Sequence, residues 1–483
     1  MPQGPRGTRE LELSSARELD GIWTAAGLSE APCLPPTPLG WELLCDDVEL
    51  LAAALERRGA SLSRRHRRLI SLDGHAFQAF LPLARAAEEL VPLDGEGLAL
   101  AIACEAREDV ARRARRRGVA SRSALALLSS RIVRGLSRLE ARVRAHEQDA
   151  SQHYRWLVEM DLGILPDDAL KTTISECIAI QRASRTLEIA ATLDLLGGYS
   201  ALFALARRSG LSQYVELAAA ALVPEPLELA SATPALALAS ALHAEPASSA
   251  SAGRDGRIAD YLSGFGDRGP CEREPFVPRW AESVPDVAGA LALLARVDAV
   301  KREARMTEAR HARSECLARA VAAVPLLDRV PLRALLTTLQ RVVVLRSRLH
   351  LVRARTLFML RTATLDVDRR LRRLNGSEPG LAFFLHLAEL SESTWRPDPR
   401  HVEAARERRE AWNRARSLEP GWAPIFSAAA AIVTDVGGLT HEGVIAAGAL
   451  GVPLVIGVRD ATRQIRSGEH LRVDALAGTV HRA

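Results

Sequence analysis

Apolar side chains recur at three- and four-residue spacing over most of the chain between about residues 80 and 374. In ALALLSSRIVRGLSRLEARVRAHEQ (124–148), Leu and Ile alternate with Arg and Glu in this way, which is the pattern of an amphipathic helix. Aromatic residues are only 4% of the 483 residues, a composition typical of packed helices rather than a β-sandwich. We therefore predict a mostly α protein, long enough for two or three domains.

The charge pattern indicates whether a nucleic acid is an expected partner. The formal net charge is +5, and apart from Lys171 and Lys301 the Lys and Arg total consists of arginine. The densest basic runs, RRHRRLISL (64–72) and ARRARRRG (111–118), have no adjacent aromatic side chains on which bases could stack. We therefore predict no nucleic-acid partner.

Cysteine usage and hydropathy indicate the compartment. The six cysteines are scattered, with no CxxC and no zinc-ligand spacing, so we predict no metal site, and single cysteines fit a reducing cytosol. The first residues are polar, and no uncharged apolar run reaches the ~18 residues of a membrane span. These features predict a cytoplasmic protein without a membrane partner.

The organisation predicted along the chain has three parts. Residues 1–17 are expected to be disordered, and residues 18–417 to form the large helical domain. Within it, a helix is predicted to begin after Pro166 and to stop at Gly197–Gly198. After Pro420, the short β-type runs AAIVTD, PLVIGV, HLRVDA and GTVHRA alternate with turns. They predict a small α/β domain over residues 418–483.

A glycine turn precedes a small-residue helix in TDVGGLTHEGVIAAGALGVPLVIG (434–457). Gly437 and Gly438 permit a tight turn with close backbone approach, and the following helix start favours a negatively charged group. A neutral imidazole there, that of His441, is a nucleophile that can take and return a phosphoryl group. The alternative is a histidine that only hydrogen-bonds the turn.

This motif resembles the swivelling phosphohistidine domain of phosphoenolpyruvate-utilising enzymes. Thr434-Asp435-x-Gly437-Gly438, Gly451-x-Pro453 and Gly457 occur in the family order. The resemblance implies a phosphate-binding turn formed by Asp435, Gly437, Gly438 and Thr440, with a phosphoryl carrier that swings between a nucleotide site and an acceptor site. Two registers are open: an ungapped alignment places Glu442 at the position of the family histidine, whereas a turn one residue shorter makes His441 the carrier.

Three upstream stretches resemble the helical substrate domain of the rifampin phosphotransferase branch of that family. They are TPLGWELL (37–44), DLGILPDDAL (161–170) and GDRGPCEREPFVPRW (266–280), the last too polar and irregular for a core element. The resemblance implies that Arg268, Glu272 and Arg279 line an acceptor pocket with Trp280 as its wall. The alternative is that Arg268 pairs with Glu272 and that Trp280 packs between helices.

Departures from the family pattern leave two functional hypotheses. The α/β domain looks truncated at its front, and no glycine-rich phosphate loop with a nearby lysine is present. The chain is therefore expected to hold no cofactor itself, and Mg²⁺ with ATP, or phosphoenolpyruvate, would enter through a separate ATP-binding protein. One hypothesis is a phosphotransferase component that relays a phosphoryl group through a histidine to a small-molecule acceptor. The other is a non-catalytic relative that binds a ligand or partner.

Overall fold

A computed structural model describes much of the helical region and most of the C-terminal part of the chain. The described residues are 23–24, 36–59, 69–72, 75–79, 122–208, 251–269, 272–283, 299–392, 398–415, 429–434, 450–458, 461–475 and 477–482, with 220, 238, 287, 291, 444, 447 and 448. The expected disorder of residues 1–17 lies outside these residues.

Helices dominate the described chain, as the sequence predicts. They are α1 (Pro38–Arg57), α2 (Arg122–Glu159), α3 (Asp167–Arg208), α4 (Ser251–Phe265), α5 (Ala299–Ala323), α6 (Leu326–Asn375), α7 (Leu387–Glu392) and α8 (Pro399–Ala415), with 3₁₀ helices at Leu162–Ile164, Trp280–Glu282 and Leu381–Phe384. We call the described residues 36–415 the helical body. Among the described helices, none is both long and apolar enough to cross a bilayer.

The long helix α6 runs parallel to α2. Arg341 donates to Glu140 at 3.1 Å and Arg348 to Glu147 at 3.0 Å, both across the same offset of 201 residues. Residues seven apart lie on one helix face, two turns along. A constant offset at that spacing therefore means that the two helices point the same way, with one polar seam between them.

Helix α3 runs antiparallel to α6. Thr356 donates its hydroxyl hydrogen to Gln181 at 2.8 Å, and the guanidinium of Arg370, further along α6, pairs with Asp167 at the beginning of α3. Higher residue numbers in α6 therefore pair with lower residue numbers in α3, so the two helices run in opposite directions. The two helices share apolar faces as well as these polar contacts, and they form the centre of the helical body.

Two adjacent glycines in α3 correct one prediction. The helix was expected to stop at Gly197–Gly198, but it continues to Arg208. A Cβ atom on Gly198 would lie 2.6 Å from Leu339 Cδ2 of α6. Gly198 therefore keeps the helical conformation, and its missing side chain allows α3 and α6 to approach closely.

The β-type runs near the C-terminus form the strands that the sequence predicts. Strands β4 (Ile432–Val433) and β5 (Leu454–Val455) pair in parallel, while β6 (Leu471–Asp474) and β7 (Thr479–Arg482) pair antiparallel. A short helix, α9 (Ala461–Gln464), lies between the two pairs in sequence. We call the described residues 429–482 the C-terminal unit. The fold class, a helical domain followed by a small α/β unit, is confirmed, while the boundary at residue 418 stays a prediction.

A small sheet near the N-terminus was not predicted. Strands β1 (Trp23–Thr24), β2 (Leu69–Leu72) and β3 (His75–Ala79) form an antiparallel sheet in the order β1-β3-β2. The strand β2 has the sequence LISL, which is too short to carry a clear alternation of apolar and polar residues.

Candidate functional site

The segment between α4 and the 3₁₀ helix at Trp280–Glu282 is irregular, as predicted, but most of its described residues are buried or partly buried. We call it segment 266–282; its residues 270 and 271 are not described. Its two ends are tied together, since the Trp280 N–H donates to the Arg268 carbonyl at 2.8 Å and the Ala281 N–H to the Gly266 carbonyl at 2.9 Å. Asp267 and Glu274 are 5% and 4% exposed. The prediction that the segment is too polar for the core was wrong because its polar groups find partners there.

Glu272 is the centre of an ionic cluster in this segment. One carboxylate oxygen accepts from Arg268 Nε, and the other lies 3.1 Å from His350 Nε2 of α6. Burial by itself would raise the pKa of Glu272. The charges of Arg268, His350 and Arg279 outweigh burial and lower that pKa to about 2. Glu272 is therefore a carboxylate held in its charged form by the groups around it.

The lowered pKa of Glu272 predicts an acid-sensitive contribution to stability. Below the ordinary pKa of 4.5 the unfolded chain takes up a proton at this site before the folded chain does, so stability falls as the pH falls from about 4.5 to about 2. At 1.36 kcal/mol per pH unit, the contribution is at most about 3 kcal/mol. In urea unfolding, the stability difference between wild type and Glu272→Gln should be largest above pH 5 and should shrink by pH 2.5.

Glu403→Gln is the matched control for that titration. Glu403 lies on α8, is 65% exposed, and pairs with Arg406 across one helix turn. Its stability difference from wild type should stay within about 0.5 kcal/mol at every pH because exposed pairs contribute little. A Glu272→Gln difference that stays constant from pH 6 to pH 2.5 would contradict the assignment of Glu272 as the acid-sensitive group.

Arg279 is fully buried and holds the segment's backbone. Its Nη2 donates to the Glu272 carbonyl at 2.8 Å and its Nη1 to the Val277 carbonyl at 3.2 Å. Burial lowers the pKa of Arg279 to about 10, against the opposing effect of the Glu272 carboxylate, so the group remains a cation at neutral pH. This guanidinium therefore organises the loop from the inside.

Glu274 joins segment 266–282 to the beginning of α1. Its carboxylate accepts from the Thr37 N–H at 3.0 Å, the Thr37 hydroxyl at 2.8 Å and the Phe276 N–H at 3.0 Å. A Cβ atom on Gly40 would lie 2.3 Å from Glu274 Oε2. The glycine in TPLGWELL therefore makes room for the carboxylate, and two of the stretches that carry the family resemblance are in direct contact.

Three arginines of α6, eight and nine residues apart, contact α1 and two of the three resembling stretches. Arg353 donates to Asp47 of α1 at 2.9 Å. Arg361 donates to Glu282 at 2.8 Å and to the Pro275 carbonyl at 2.8 Å, inside segment 266–282. Further along α6, Arg370 Nη2 donates to the Leu162 carbonyl at 2.9 Å and to the Leu165 carbonyl at 2.8 Å, just before α3 begins. One helix therefore holds two of the stretches in place relative to each other and to α1, the helix that begins in the third stretch.

The four site residues predicted in this region lie in one segment. Arg268, Glu272 and Arg279 belong to the ionic cluster described above, and the Trp280 ring stacks at 6.2 Å on Tyr261 of α4. Sequence reasoning missed the partners from α6, above all His350 and Arg361. One signal for these partners is present in the sequence. In α6, Arg and His recur at the same spacing as the Leu and Val residues that face the core. Asp435, Gly437, Gly438, Thr440, His441 and Glu442 lie outside the described residues.

An apolar cluster connects segment 266–282 with the C-terminal unit. It contains Trp280 together with Ile258, Tyr261, Val287 and Leu291 of the helical side, and Ala447, Leu450 and Val452 from the stretch that follows the predicted glycine turn. Trp280 is 7% exposed and Leu450 is 1% exposed. Trp280, the predicted wall of an acceptor pocket, therefore lies in one buried cluster with the helix that is predicted to follow the phosphate-binding turn.

A comparison with protein-family models identifies the C-terminal part. Residues 414–478 match the model described as PEP-utilising enzyme, mobile domain. The C-terminal part of this chain is a mobile domain of the PEP-utilising type. The matched range begins inside α8, contains β4, β5 and β6, and ends at the residue before β7. The resemblance inferred from the glycine turn is thereby confirmed for this part of the chain.

Curated relatives match over the same short region. The chain is 45% identical over 62 residues to a rifampicin phosphotransferase of Streptomyces sviceus, which covers 13% of this chain and 7% of the relative. It is 43% identical over 63 residues to a phosphoenolpyruvate synthase of Aeropyrum pernix, which covers 13% and 8%. A chondramide synthase of Chondromyces crocatus is 39% identical over 66 residues, or 14% and 2%. The match therefore spans less than a tenth of each relative.

Proposed function

We propose that the chain is the acceptor-side component of a phosphotransferase of the PEP-utilising type. In this proposal His441 carries a phosphoryl group, and the helical body holds a small-molecule acceptor near Arg268, Glu272 and Arg279, with Trp280 as a wall. A separate ATP-binding protein supplies the nucleotide site with Mg²⁺, or phosphoenolpyruvate serves as the donor.

The observation that carries this proposal is the apolar cluster shared by Trp280 and the C-terminal unit. A carrier domain must bring its phosphoryl group to the acceptor, because direct transfer needs the reacting atoms about 3–3.5 Å apart. In the first step expected, an imidazole nitrogen forms an N–P bond while the P–O bond to the donor breaks and the remainder of the donor leaves. In the second step, an acceptor hydroxyl forms an O–P bond while the N–P bond breaks, which returns the neutral imidazole and releases the hydroxyl proton to water. The arginines nearby suit the charge that develops on the phosphoryl oxygens.

A second function is favoured by the partners of the same residues. Arg268 pairs with Glu272, and the Nη1 and Nη2 atoms of Arg279 donate to backbone carbonyls of its own segment. Side chains engaged in this way are suited to fixing a loop. On that basis the alternative is a non-catalytic relative that retains the mobile domain and binds a ligand or partner without phosphoryl transfer.

Phosphoryl labelling separates the two functions. The purified chain is incubated with labelled phosphoenolpyruvate, or with labelled ATP, Mg²⁺ and a candidate ATP-binding protein, and then treated with acid or base. Acid-labile, base-stable label supports the carrier function because an N–P bond to imidazole has that stability profile. Absence of label with every donor, in protein whose helical circular dichroism is intact, would leave the non-catalytic function.

A further inference from the structure

One face of α5 contacts the C-terminal unit. Arg305, Ala309 and Arg313 are four residues apart, so they lie on the same side of the helix. Arg305 Nη1 donates to the Ala429 carbonyl at 3.4 Å, and Arg313 Nη1 donates to the Gly448 carbonyl at 3.3 Å. Arg313 is 9% exposed, which is unusual for an arginine. The two hydrogen bonds join residues 124 and 135 positions apart in sequence. They are separate from the ionic cluster around Glu272.

The end of the helix in the C-terminal unit is shaped for this contact. The Val452 N–H donates to the Ala447 carbonyl at 2.9 Å and the Gly451 N–H to the Gly448 carbonyl at 3.3 Å, the pair of bonds that defines a Schellman cap. Gly451 has a φ of +66°. The Arg313 guanidinium therefore meets the negative end of a helix, where a cation is favoured.

Close approach adds to the polar contacts. A Cβ atom on Gly451 would lie 3.0 Å from both Ala309 Cβ and the Arg305 carbonyl oxygen. Beside this contact, Met306 of α5 packs against the apolar cluster that contains Leu450 and Val452. Separation of the C-terminal unit from the helical body would expose these apolar side chains to water, which is unfavourable.

We infer that the Arg305–Ala309–Arg313 face of α5 is a docking surface that retains the C-terminal unit on the helical body. Arg305 and Arg313 are its positioning residues, and Ala309 provides the space for Gly451. The inference concerns the resting position of the unit and does not depend on phosphoryl transfer. If the proposed function also holds, the unit must leave this surface before it can reach a separate ATP-binding protein.

Hydrogen–deuterium exchange on the full chain tests the docking surface. In Ala309→Trp the indole has no space beside Gly451, so amide exchange should become at least about tenfold faster in peptides covering residues 447–455 and 258–262. Exchange in α3 and α6 should stay at the wild-type rate. The matched control is Ala312→Trp, on an exposed position of the same helix, which should leave all of these rates unchanged.

A second variant keeps the test decisive if the tryptophan disturbs folding. Arg305→Ala/Arg313→Ala removes both guanidinium contacts without adding bulk, and it should accelerate exchange in the same two regions by several-fold. Wild-type exchange in both Ala309→Trp and the double variant, with native circular dichroism, would overturn the docking surface. Faster exchange together with an absence of phosphoryl labelling would uphold the docking surface and reject the proposed function.

Discussion

Replacement of Arg353 by leucine is expected to lower the free energy of unfolding by about 3–5 kcal/mol. Arg353 is 4% exposed and donates to Asp47 at 2.9 Å and to Glu188 at 3.3 Å. In the variant, Arg185 is left to balance both carboxylates, with Asp47 at 3.0 Å and Glu188 at 2.8 Å. Two buried carboxylates then share one arginine. A buried negative charge that is not balanced by a cation lowers stability because the protein interior has a low dielectric constant.

Arg341→Leu on the same helix is the matched control. Arg341 makes a two-pronged contact with Glu140, but its side chain is 51% exposed. Exposed ion pairs contribute about 0–1 kcal/mol, so urea denaturation should give a small change for Arg341→Leu and a large one for Arg353→Leu. Equal changes for the two variants would contradict the view that the buried pairs of Arg353 with Asp47 and Glu188 hold α1, α3 and α6 together.

Alanine at position 40 is expected to destabilise the protein by about 2–4 kcal/mol, although alanine normally favours a helix. The new Cβ atom would lie 2.3 Å from Glu274 Oε2. Three hydrogen bonds from Thr37 and Phe276 hold that carboxylate, so it cannot move without losing some of them. Thermal unfolding followed by circular dichroism measures the effect.

Gly135→Ala should have the opposite sign. Gly135 lies inside α2, and a Cβ atom there would meet nothing within 4 Å. Alanine should therefore stabilise the helix by about 0.5–1 kcal/mol through its higher helix propensity. If both glycine variants changed stability in the same direction, the contact between the start of α1 and segment 266–282 would not be the one described.

The local elements could largely be predicted from the sequence because their signals are local. The spacing of Leu and Ile predicted α2, and the four β-type runs after Pro420 predicted β4 to β7. Gly197–Gly198 was misinterpreted because the same dipeptide is compatible with a helix stop and with a close helix contact. Only the presence of Leu339 on the facing helix decides between them.

The ion pairs made by α6 could not be predicted, since they join distant parts of the chain, whereas the Arg268–Glu272 pair, four residues apart, is one of the alternatives that the sequence offers. Arg353 and Asp47 are 306 residues apart, and Arg361 and Glu282 are 79 apart. A sequence pattern indicates that a helix carries arginines but not which carboxylate each one meets. For the same reason, the sequence predicted segment 266–282 to be too polar for the core, because its charges suggest contact with solvent unless their partners on α6 are known.

The carrier residue is the central claim, and phosphopeptide mapping tests it most directly. Wild type, His441→Ala and Glu442→Gln are incubated side by side with the donor that gives label, digested under basic conditions and mapped by mass spectrometry. We predict a phosphoryl group on His441 in wild type and in Glu442→Gln, and none in His441→Ala. A phosphoryl group that persists in His441→Ala, or its absence from wild type with every donor while the protein is folded, would contradict the account.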